Sequence, residues 1–255
     1  MRTTNNTYKR IHTILLAGGK GTRMKKTLPK ILNPIAGKPI LFWTLDLLDE
    51  IRIKNCTVVT SYKSKYVKKE IQKAGYEVLF ATQRKPMGTA HAVKVGLKTL
   101  SKDIKDVFVL YGDDSALYKP KTIQKFIRAH QLSRKKLSLL VLESSMPSQL
   151  GGLERNKAGK VVGVLTMQDM IEKGIKKPLI LCGALCFNRK WLDENIVKVK
   201  KGTLSGEYPL PSLITIAANQ KKYANVFYLN SELEWNSVNT PKELEEAKKK
   251  KANKK

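Results

Sequence analysis

The segment that decides the fold reads LAGGKGTRMKKTLPK and covers residues 16–30. It begins at the end of a short apolar run, residues 12–17, which has the length of a buried strand. Three glycines follow within four positions, at Gly18, Gly19 and Gly21, and they allow backbone N–H groups to crowd around an anion. The segment therefore predicts a strand that ends in a phosphate-binding loop.

Charged side chains in the same segment strengthen this prediction. Lys20, Arg23 and Lys30 add fixed positive charge, and a guanidinium group can hold two phosphate oxygens at once. The loop differs from a P-loop, because no Gly-Lys-Ser/Thr step opens a helix, and from the dinucleotide fingerprint in its glycine spacing. We expect the loop, together with Leu16 and Ala17 before it, to bind a nucleotide.

The first half of the chain alternates between strand and helix patterns. Apolar runs are predicted as strands, and the segments between them have helical periodicity, with Ser64 as an N-cap. This order predicts an α/β fold with a doubly wound, mostly parallel, Rossmann-like sheet. The predicted strands are residues 56–61, 77–81, 107–111 and 137–143, and the predicted helices are residues 40–51, 64–74, 89–100 and 121–131.

The second half predicts a smaller lobe built onto the same sheet. We divide the domain, residues 1–247, into a nucleotide half, residues 11–145, and a sugar-phosphate half, residues 146–247. Six lysines among the last eight residues, 248–255, are expected to form a solvated helix end that frays into a tail. The second half has predicted strands at residues 160–165, 179–187, 223–229 and 233–238, and predicted helices at residues 208–218 and 241–251.

Composition restricts the class of protein and its surroundings. The 255 residues include 49 Lys and Arg against 21 Asp and Glu, a formal net charge of +28 that attracts anions. Nucleotides and sugar phosphates fit that charge, and a nucleic-acid partner is not excluded by it. The three cysteines lack the paired spacing of a disulfide framework, and no apolar run approaches the ~20 residues of a membrane helix. We therefore expect a cytoplasmic protein without a membrane partner, of unassigned oligomeric state.

Two later loops carry groups suited to a base and a metal. Gln83 offers a donor and an acceptor to a base edge, Gly88 allows close approach, and Thr89 is expected to cap the next helix. Asp113 follows Tyr111-Gly112 at a predicted strand end, where a carboxylate can hold a divalent cation beside phosphates. Its neighbour, Asp114, points elsewhere and is expected to serve a turn or a cap.

Taken together, these motifs resemble sugar-phosphate nucleotidyltransferases, and most closely the uridylyltransferase domain of bacterial N-acetylglucosamine-1-phosphate uridylyltransferases. The resemblance covers roughly residues 11–250 and implies the nucleotide-diphospho-sugar transferase fold. The matching motifs are L-A-x-G-x-G-T-R-M at residues 16–24, L-P-K at residues 28–30, Q-x4-G-T-x-H-A at residues 83–92, Y-G-D at residues 111–113 and V-N at residues 238–239.

The resemblance implies a role for each motif. Arg23 and Lys30 would be the catalytic groups that hold the reacting phosphates, and Gln83 with Gly88 would contact uracil. Asp113 and Asn239 would hold Mg²⁺. The implied reaction joins UTP and a sugar 1-phosphate to give a UDP-sugar and pyrophosphate. The alternatives are a cytidylyl- or guanylyltransferase acting on another phosphorylated alcohol, or a non-catalytic protein that binds nucleotides or nucleic acid.

The chain departs from that family on the sugar side. Tyr111 and Gly152 match sugar-side positions, but Thr166 stands where the family has a glutamate and Leu181 where it has an asparagine. Each lost hydrogen bond is worth about 0.5–1.5 kcal/mol, so the acceptor is expected to differ from N-acetylglucosamine 1-phosphate. The hexapeptide repeats of the family's acetyltransferase domain are missing before Lys255, so acetyl transfer is not expected.

Overall fold

A computed structural model describes residues 8–24, 28–144, 151–203 and 206–253. Lys254 and Lys255 of the predicted tail lie outside these ranges. The strands of the described residues are β1 (Ile11–Ala17), β2 (Pro34–Ile35), β3 (Lys38–Pro39), β4 (Cys56–Thr60), β5 (Leu79–Thr82), β6 (Asp106–Tyr111), β7 (Leu137–Glu143), β8 (Gly152–Arg155), β9 (Val161–Leu165), β10 (Leu179–Asn188) and β11 (Asn225–Tyr228). The helices are α1 (Ile40–Glu50), α2 (Ser64–Lys73), α3 (Thr89–Leu97), α4 (Pro120–Ser133), α5 (Met167–Glu172), α6 (Arg189–Ile196), α7 (Ser212–Asn219) and α8 (Pro241–Ala252).

The central sheet confirms the predicted α/β fold. Within the described residues it has seven strands in the order β11-β7-β10-β6-β1-β4-β5. All neighbours are parallel except β10, which runs antiparallel to both β6 and β7. Helices cover both faces, because α1, α2 and α4 contribute to one buried cluster and α3, α6 and α7 to the other.

Strand β1 sets the position of the cleft. All seven of its residues are buried, and Leu16 pairs with Val59 of β4 on one side and Tyr111 of β6 on the other. The chain leaves β1 toward β4 and β5, and then crosses back to β6 on the opposite side of β1. Loops that leave β1 and β6 therefore diverge at their carboxyl ends, where open parallel sheets bind ligands.

Three local predictions are wrong. Ser64 and Thr89 do not cap their helices, because each is instead the first helical residue. The N-cap positions belong to Lys63 and Gly88, and both of these have positive φ. Residues 233–238 do not form a strand. A short 3₁₀ turn, Glu232–Glu234, is followed by buried extended chain that no strand pairs with among the described residues.

Short elements of the second half lie outside the sequence prediction. Strand β8 and helices α5 and α6 were not predicted, because four to eight residues carry too little periodicity to be distinguished from loop. Helix α7 begins at Ser212 rather than at residue 208, since Pro209 and Pro211 interrupt the backbone donors of that stretch.

Most of the lysine-rich segment belongs to a helix, as predicted for residues 241–251, and two of its lysines contact the rest of the protein. Helix α8 begins with a capping box between Thr240 and Glu243 and runs to Ala252. Lys250 Nζ donates to the carbonyls of Glu232 and Trp235, each at 3.0 Å. Lys251 Nζ donates to the Ala116 carbonyl at 3.1 Å and lies 3.6 Å from the centroid of the Trp43 ring. Among the described helices, none combines the length and apolar character that crossing a membrane requires.

Candidate active site

A cleft of about 780 Å³ opens at the carboxyl edge of the sheet between β1 and β6. That volume suits a ligand of the size of a nucleotide. Ala17, Gly21 and Thr166 are the predicted site residues that do not line it. The predicted residues that do line it are Leu16, Gly18, Gly19, Lys20, Arg23, Lys30, Gln83, Gly88, Thr89, Tyr111, Asp113, Gly152, Leu181 and Asn239.

The glycine-rich loop turns tightly over Lys30. Gly21 has φ +64°, and a Cβ there would lie only 2.7 Å from the Cβ of Lys30. The turn closes with a hydrogen bond from Met24 N to Gly21 O at 2.9 Å, and the Met24 side chain is buried. Lys20 and Arg23 are exposed at the mouth of the cleft. Gly21 therefore serves the shape of the loop, while the two cations face the ligand space.

Three residues that are distant in sequence meet at the base of this loop. Lys30 is 7% exposed, and its ammonium group donates to Oδ2 of Asp113 and to Oδ1 of Asn239, the latter at 2.9 Å. Asp113 follows β6, and Asn239 precedes α8. The structure thus brings Lys30, Asp113 and Asn239 together.

The donor set at this point suits a divalent cation. Asp113 presents a carboxylate oxygen and Asn239 an amide oxygen, and both converge on one positive charge, the Lys30 ammonium. Mg²⁺ prefers oxygen ligands, usually one or two from protein with water and substrate phosphates as the rest. Within the described residues no cluster of three or more His, Cys, Asp or Glu could hold a metal. The residues therefore fit a metal that is shared with a phosphate ligand.

Gln83 is oriented by its surroundings. Its side chain is 5% exposed, and Nε2 donates to Gly88 O at 3.0 Å and contacts His91 Nδ1 at 2.8 Å. Burial, and then the nearby Lys94 and Lys98, lowers the pKa of His91, so its imidazole is neutral at pH 7 and Nδ1 can accept. Both amide hydrogens are thus used, and Oε1 is the atom that Gln83 offers to a base.

Gly88 and Thr89 join the two sides of the cleft. A Cβ at Gly88, where φ is +96°, would lie 2.6 Å from both N and O of Tyr208, so the close approach here is to protein backbone. Tyr208 N donates to Met87 O at 2.8 Å, and Leu210 N donates to Thr89 Oγ1 at 2.9 Å. The Thr89 hydroxyl therefore fixes the segment before α7 instead of capping its own helix.

The side of the cleft formed by the second half of the chain is mainly apolar. Leu153, Val164, Leu181 and Pro211 line it beside Gly152, and Tyr111 lines the cleft with its hydroxyl buried, which raises the pKa of that group. Thr166 does not line the cleft. Its hydroxyl is engaged with Asp169 in the capping box of α5, at 2.7 Å and 3.1 Å.

Asp114 and Ser237 are among the polar residues of the cleft that were not assigned a role in binding from the sequence. Asp114, expected to serve a turn or a cap, lies in the turn after β6 but is only 5% exposed, and its carboxyl group lies beside the Ser237 hydroxyl. Burial, and then the neighbouring Asp113, raises the pKa of Asp114. Both residues line the cleft. The only sequence signal was their proximity to Asp113 and Asn239, and it does not show that Asp114 and Ser237 touch.

Comparisons with known proteins agree with this architecture. The family model described as "Nucleotidyl transferase" matches residues 12–254. The chain is 31% identical to the bifunctional protein GlmU of Alcanivorax borkumensis over 226 residues, which are 89% of this chain and 48% of that relative. It is 32% identical to GlmU of Zymomonas mobilis over 221 residues, which are 85% and 48% of the two chains. The chain thus spans about half the length of these curated relatives.

Solved structures share the fold at lower identity. A candidate glucose-1-phosphate thymidylyltransferase from Bacillus anthracis, solved with sucrose, superposes with a TM-score of 0.77 at 17% identity over 94% of each chain. HddC from Yersinia pseudotuberculosis, solved with GMP-PN, superposes with a TM-score of 0.70 at 21% identity, over 94% of this chain and 98% of that one. At these identities the likeness concerns the fold alone.

Proposed function

Because this chain belongs to the nucleotidyl transferase family, we propose that it transfers the uridylyl group of UTP to a sugar 1-phosphate. The products are a UDP-sugar and pyrophosphate. The observation that carries the proposal is the convergence of Lys30, Asp113 and Asn239 beside the glycine-rich loop, where oppositely charged groups suit a triphosphate and its metal.

The donor phosphates bind to the loop. Gly18, Gly19 and the exposed cations of Lys20 and Arg23 line the space next to Lys30, where backbone N–H groups and positive charge suit phosphate. Both substrates are polyanions that repel each other in water, so fixed positive charge lowers the energy of bringing them together. The formal charge of +28 adds a long-range attraction for both.

Gln83 supports uracil as the base. Its Oε1 is an acceptor, because both hydrogens of Nε2 are directed to Gly88 O and the neutral His91 ring. Uracil carries a hydrogen on N3 that such an acceptor can receive, whereas N3 of cytosine is itself an acceptor. This polarity favours UTP over CTP as the donor.

Mg²⁺ would be held by the oxygens of Asp113 and Asn239. When bound, it neutralises charge on the reacting phosphates. In the transfer itself a phosphate oxygen of the sugar 1-phosphate attacks the α-phosphorus of UTP, in line with the bond to the β-phosphate. That P–O bond breaks, and its electron pair leaves with pyrophosphate. The attacking oxygen is already anionic near pH 7, so the chain's own residues position and neutralise charge and need not remove a proton.

The acceptor is proposed to present an apolar face to Leu181 and Val164. The two polar side chains that the family uses on the sugar side are not available here. Leu181 lines the cleft at the position of the family's asparagine, and the hydroxyl of Thr166, at the position of its glutamate, caps α5. A sugar 1-phosphate with fewer exposed hydroxyls on that face, such as a deoxy sugar, fits better than one that requires two side-chain hydrogen bonds.

The test is a matrix of substrates. Pyrophosphate release is measured with Mg²⁺ for each pair of four nucleoside triphosphates and a panel of sugar 1-phosphates that includes deoxy sugars. We expect turnover with UTP to exceed that with CTP and GTP. Turnover only with CTP or GTP would contradict the donor assignment. No turnover with any pair, together with RNA binding that falls steeply with salt, would support the nucleic-acid alternative instead.

A further inference from the structure

The Asn239 side chain is fixed by partners on both ends of its amide. Its Oδ1 accepts from Lys30 Nζ at 2.9 Å, and its Nδ2 donates to the Ser237 hydroxyl. The opposite orientation of the amide would set Nδ2, a donor, against the Lys30 ammonium, which has only donors. The two contacts therefore agree on one orientation, in which the amide oxygen faces Lys30 and Asp113.

On its other side, the Ser237 hydroxyl lies next to Asp114. A serine oxygen that accepts from Asn239 retains one proton of its own, and the Asp114 carboxyl group lies beside that hydroxyl, where it can accept this proton. Ser237 and Asp114 are 7% and 5% exposed, so both groups are shielded from water. The order of these groups is Asn239 Nδ2, Ser237 Oγ and then the Asp114 carboxyl group.

The backbone around this chain is held independently. Val238 N donates to Asp113 O at 3.2 Å, and Glu243 Oε2 accepts from Asn239 N at 2.6 Å and Thr240 N at 2.8 Å. These bonds place the Cα of Asn239 but leave its amide free to turn about the Cβ–Cγ bond. Orientation of the amide is left to Ser237 and Lys30.

We propose that Ser237, supported by Asp114, is a positioning residue that directs the amide oxygen of Asn239 toward the divalent cation. The inference rests on the proposed function, because that function assigns the cation to Asp113 and Asn239. A ligating group held by a partner loses no free energy to rotation when the ion arrives, and loss of such partners weakens metal binding. Ser237 acts only through Asn239 and has no separate role in the transfer.

The decisive measurement uses Mn²⁺ and the side-chain amide resonances of the substrate-free protein. The Asn239 Nδ2 hydrogens are assigned by their loss in Asn239→Asp. Mn²⁺ is then titrated, and paramagnetic broadening of these resonances in wild type gives a half-broadening concentration. In Ser237→Ala we expect the resonances to lose their hydrogen-bonded shift and the half-broadening concentration to rise about three- to tenfold, the effect of one hydrogen bond.

Three variants complete the test. Ser231→Ala is the matched control, because the Ser231 hydroxyl also accepts one N–H, that of the Leu233 backbone, but it caps the 3₁₀ turn and does not line the cleft. It should match wild type within about twofold, and Ser237→Thr, which keeps a hydroxyl, should restore most of the Mn²⁺ affinity. If Asp114 acts through Ser237, adding Asp114→Ala to Ser237→Ala should cause no further loss.

The possible outcomes separate the two proposals. A half-broadening concentration for Ser237→Ala within twofold of wild type would overturn the positioning role, as would an additional loss from Asp114→Ala in the Ser237→Ala background. Because the titration contains no substrate, it gives its answer even when the substrate matrix shows no turnover. If Asp114→Ala does not fold, as thermal melting would show, the comparison of Ser237→Ala with Ser237→Thr and Ser231→Ala still decides the role of Ser237.

Discussion

At the scale of single residues, charge placement determines what the cleft can bind. Lys30 is buried, and its ammonium group donates to two protein oxygens. The residue also lines the cleft. Among the described residues, Asp113 is the one carboxylate that forms an ion pair with that ammonium. Removing it would leave Lys30 partly unpaired and the cation with a single protein oxygen.

The first prediction concerns Asp113→Ala. We expect turnover to fall by more than about a hundredfold, because a ligand that neutralises the metal is lost. Pyrophosphate release at saturating Mg²⁺ measures this effect, and thermal melting verifies the fold. Asp103→Ala is the control, since Asp103 is an exposed loop aspartate bonded only to nearby Ser101 among the interactions described. Activity of Asp113→Ala within a few-fold of wild type would exclude a ligand role.

The second prediction separates Leu181 from Thr166. Leu181→Asn should raise the ratio of activity on N-acetylglucosamine 1-phosphate to activity on a deoxy sugar 1-phosphate, by about two- to tenfold for one gained hydrogen bond. Thr166→Glu should leave that ratio unchanged, because residue 166 is the N-cap of α5 and does not line the cleft. The ratio is measured as relative kcat/KM. An equal shift in the two variants would mean that Thr166 reaches the acceptor.

At the scale of elements, the contact between β1 and β4 contains a buried histidine. His12 of β1 is 4% exposed, and its Nε2 lies 2.7 Å from Thr57 Oγ1 of β4. Burial, and then the nearby Arg189, lowers the pKa of His12 to about 4. The folded protein therefore holds this ring neutral at a pH where the unfolded chain protonates it.

The third prediction is a loss of stability in acid. Between pH 6.5 and about 4, His12 is protonated in the unfolded state but not in the folded state, so the free energy of unfolding falls as pH falls. The loss from this residue should be about 2 kcal/mol between pH 7.5 and pH 5. Urea unfolding of wild type and His12→Gln at both pH values measures it. The variant should lose correspondingly less stability than wild type, and equal losses would contradict the lowered pKa.

At the scale of the whole molecule, the two halves share one sheet. Strand β10 of the second half of the chain is inserted between β6 and β7 of the first half, and β11 pairs with β7. The bonds from Tyr208 and Leu210 to the loop before α3 add a second connection across the cleft. Neither half has a complete sheet without the other.

The fourth prediction is that the chain unfolds in one step. Trp43 lies in α1 and Trp191 in α6, so tryptophan fluorescence reports on both halves, while circular dichroism reports on all helices. We expect both signals to show the same urea midpoint, as in a cooperative two-state domain. A fragment ending near residue 145 should fail to fold, because it lacks β10. Two separated midpoints, or a folded fragment, would show that the halves are independent.

The sequence by itself determined the strand–helix alternation of the first half and the chemistry of its loops. Periodicity, glycines and prolines act on neighbouring residues, so β1, β4, β6 and β7 are predicted within one or two positions of their bounds. The resemblance added which polar residues belong to one site. Periodicity and the resemblance both depend on short motifs. Both predict fewer elements in the second half, where β8, α5 and α6 are short.

Only the tertiary structure decided which side chains meet. Lys30 lies 83 positions from Asp113 and 209 from Asn239, and their contact depends on strand order rather than on local pattern. The same applies to Gly88 against Tyr208 and to Ser237 beside Asp114. The physical reason is that local backbone preference depends on adjacent residues, whereas burial and side-chain hydrogen bonds form only when distant segments pack together.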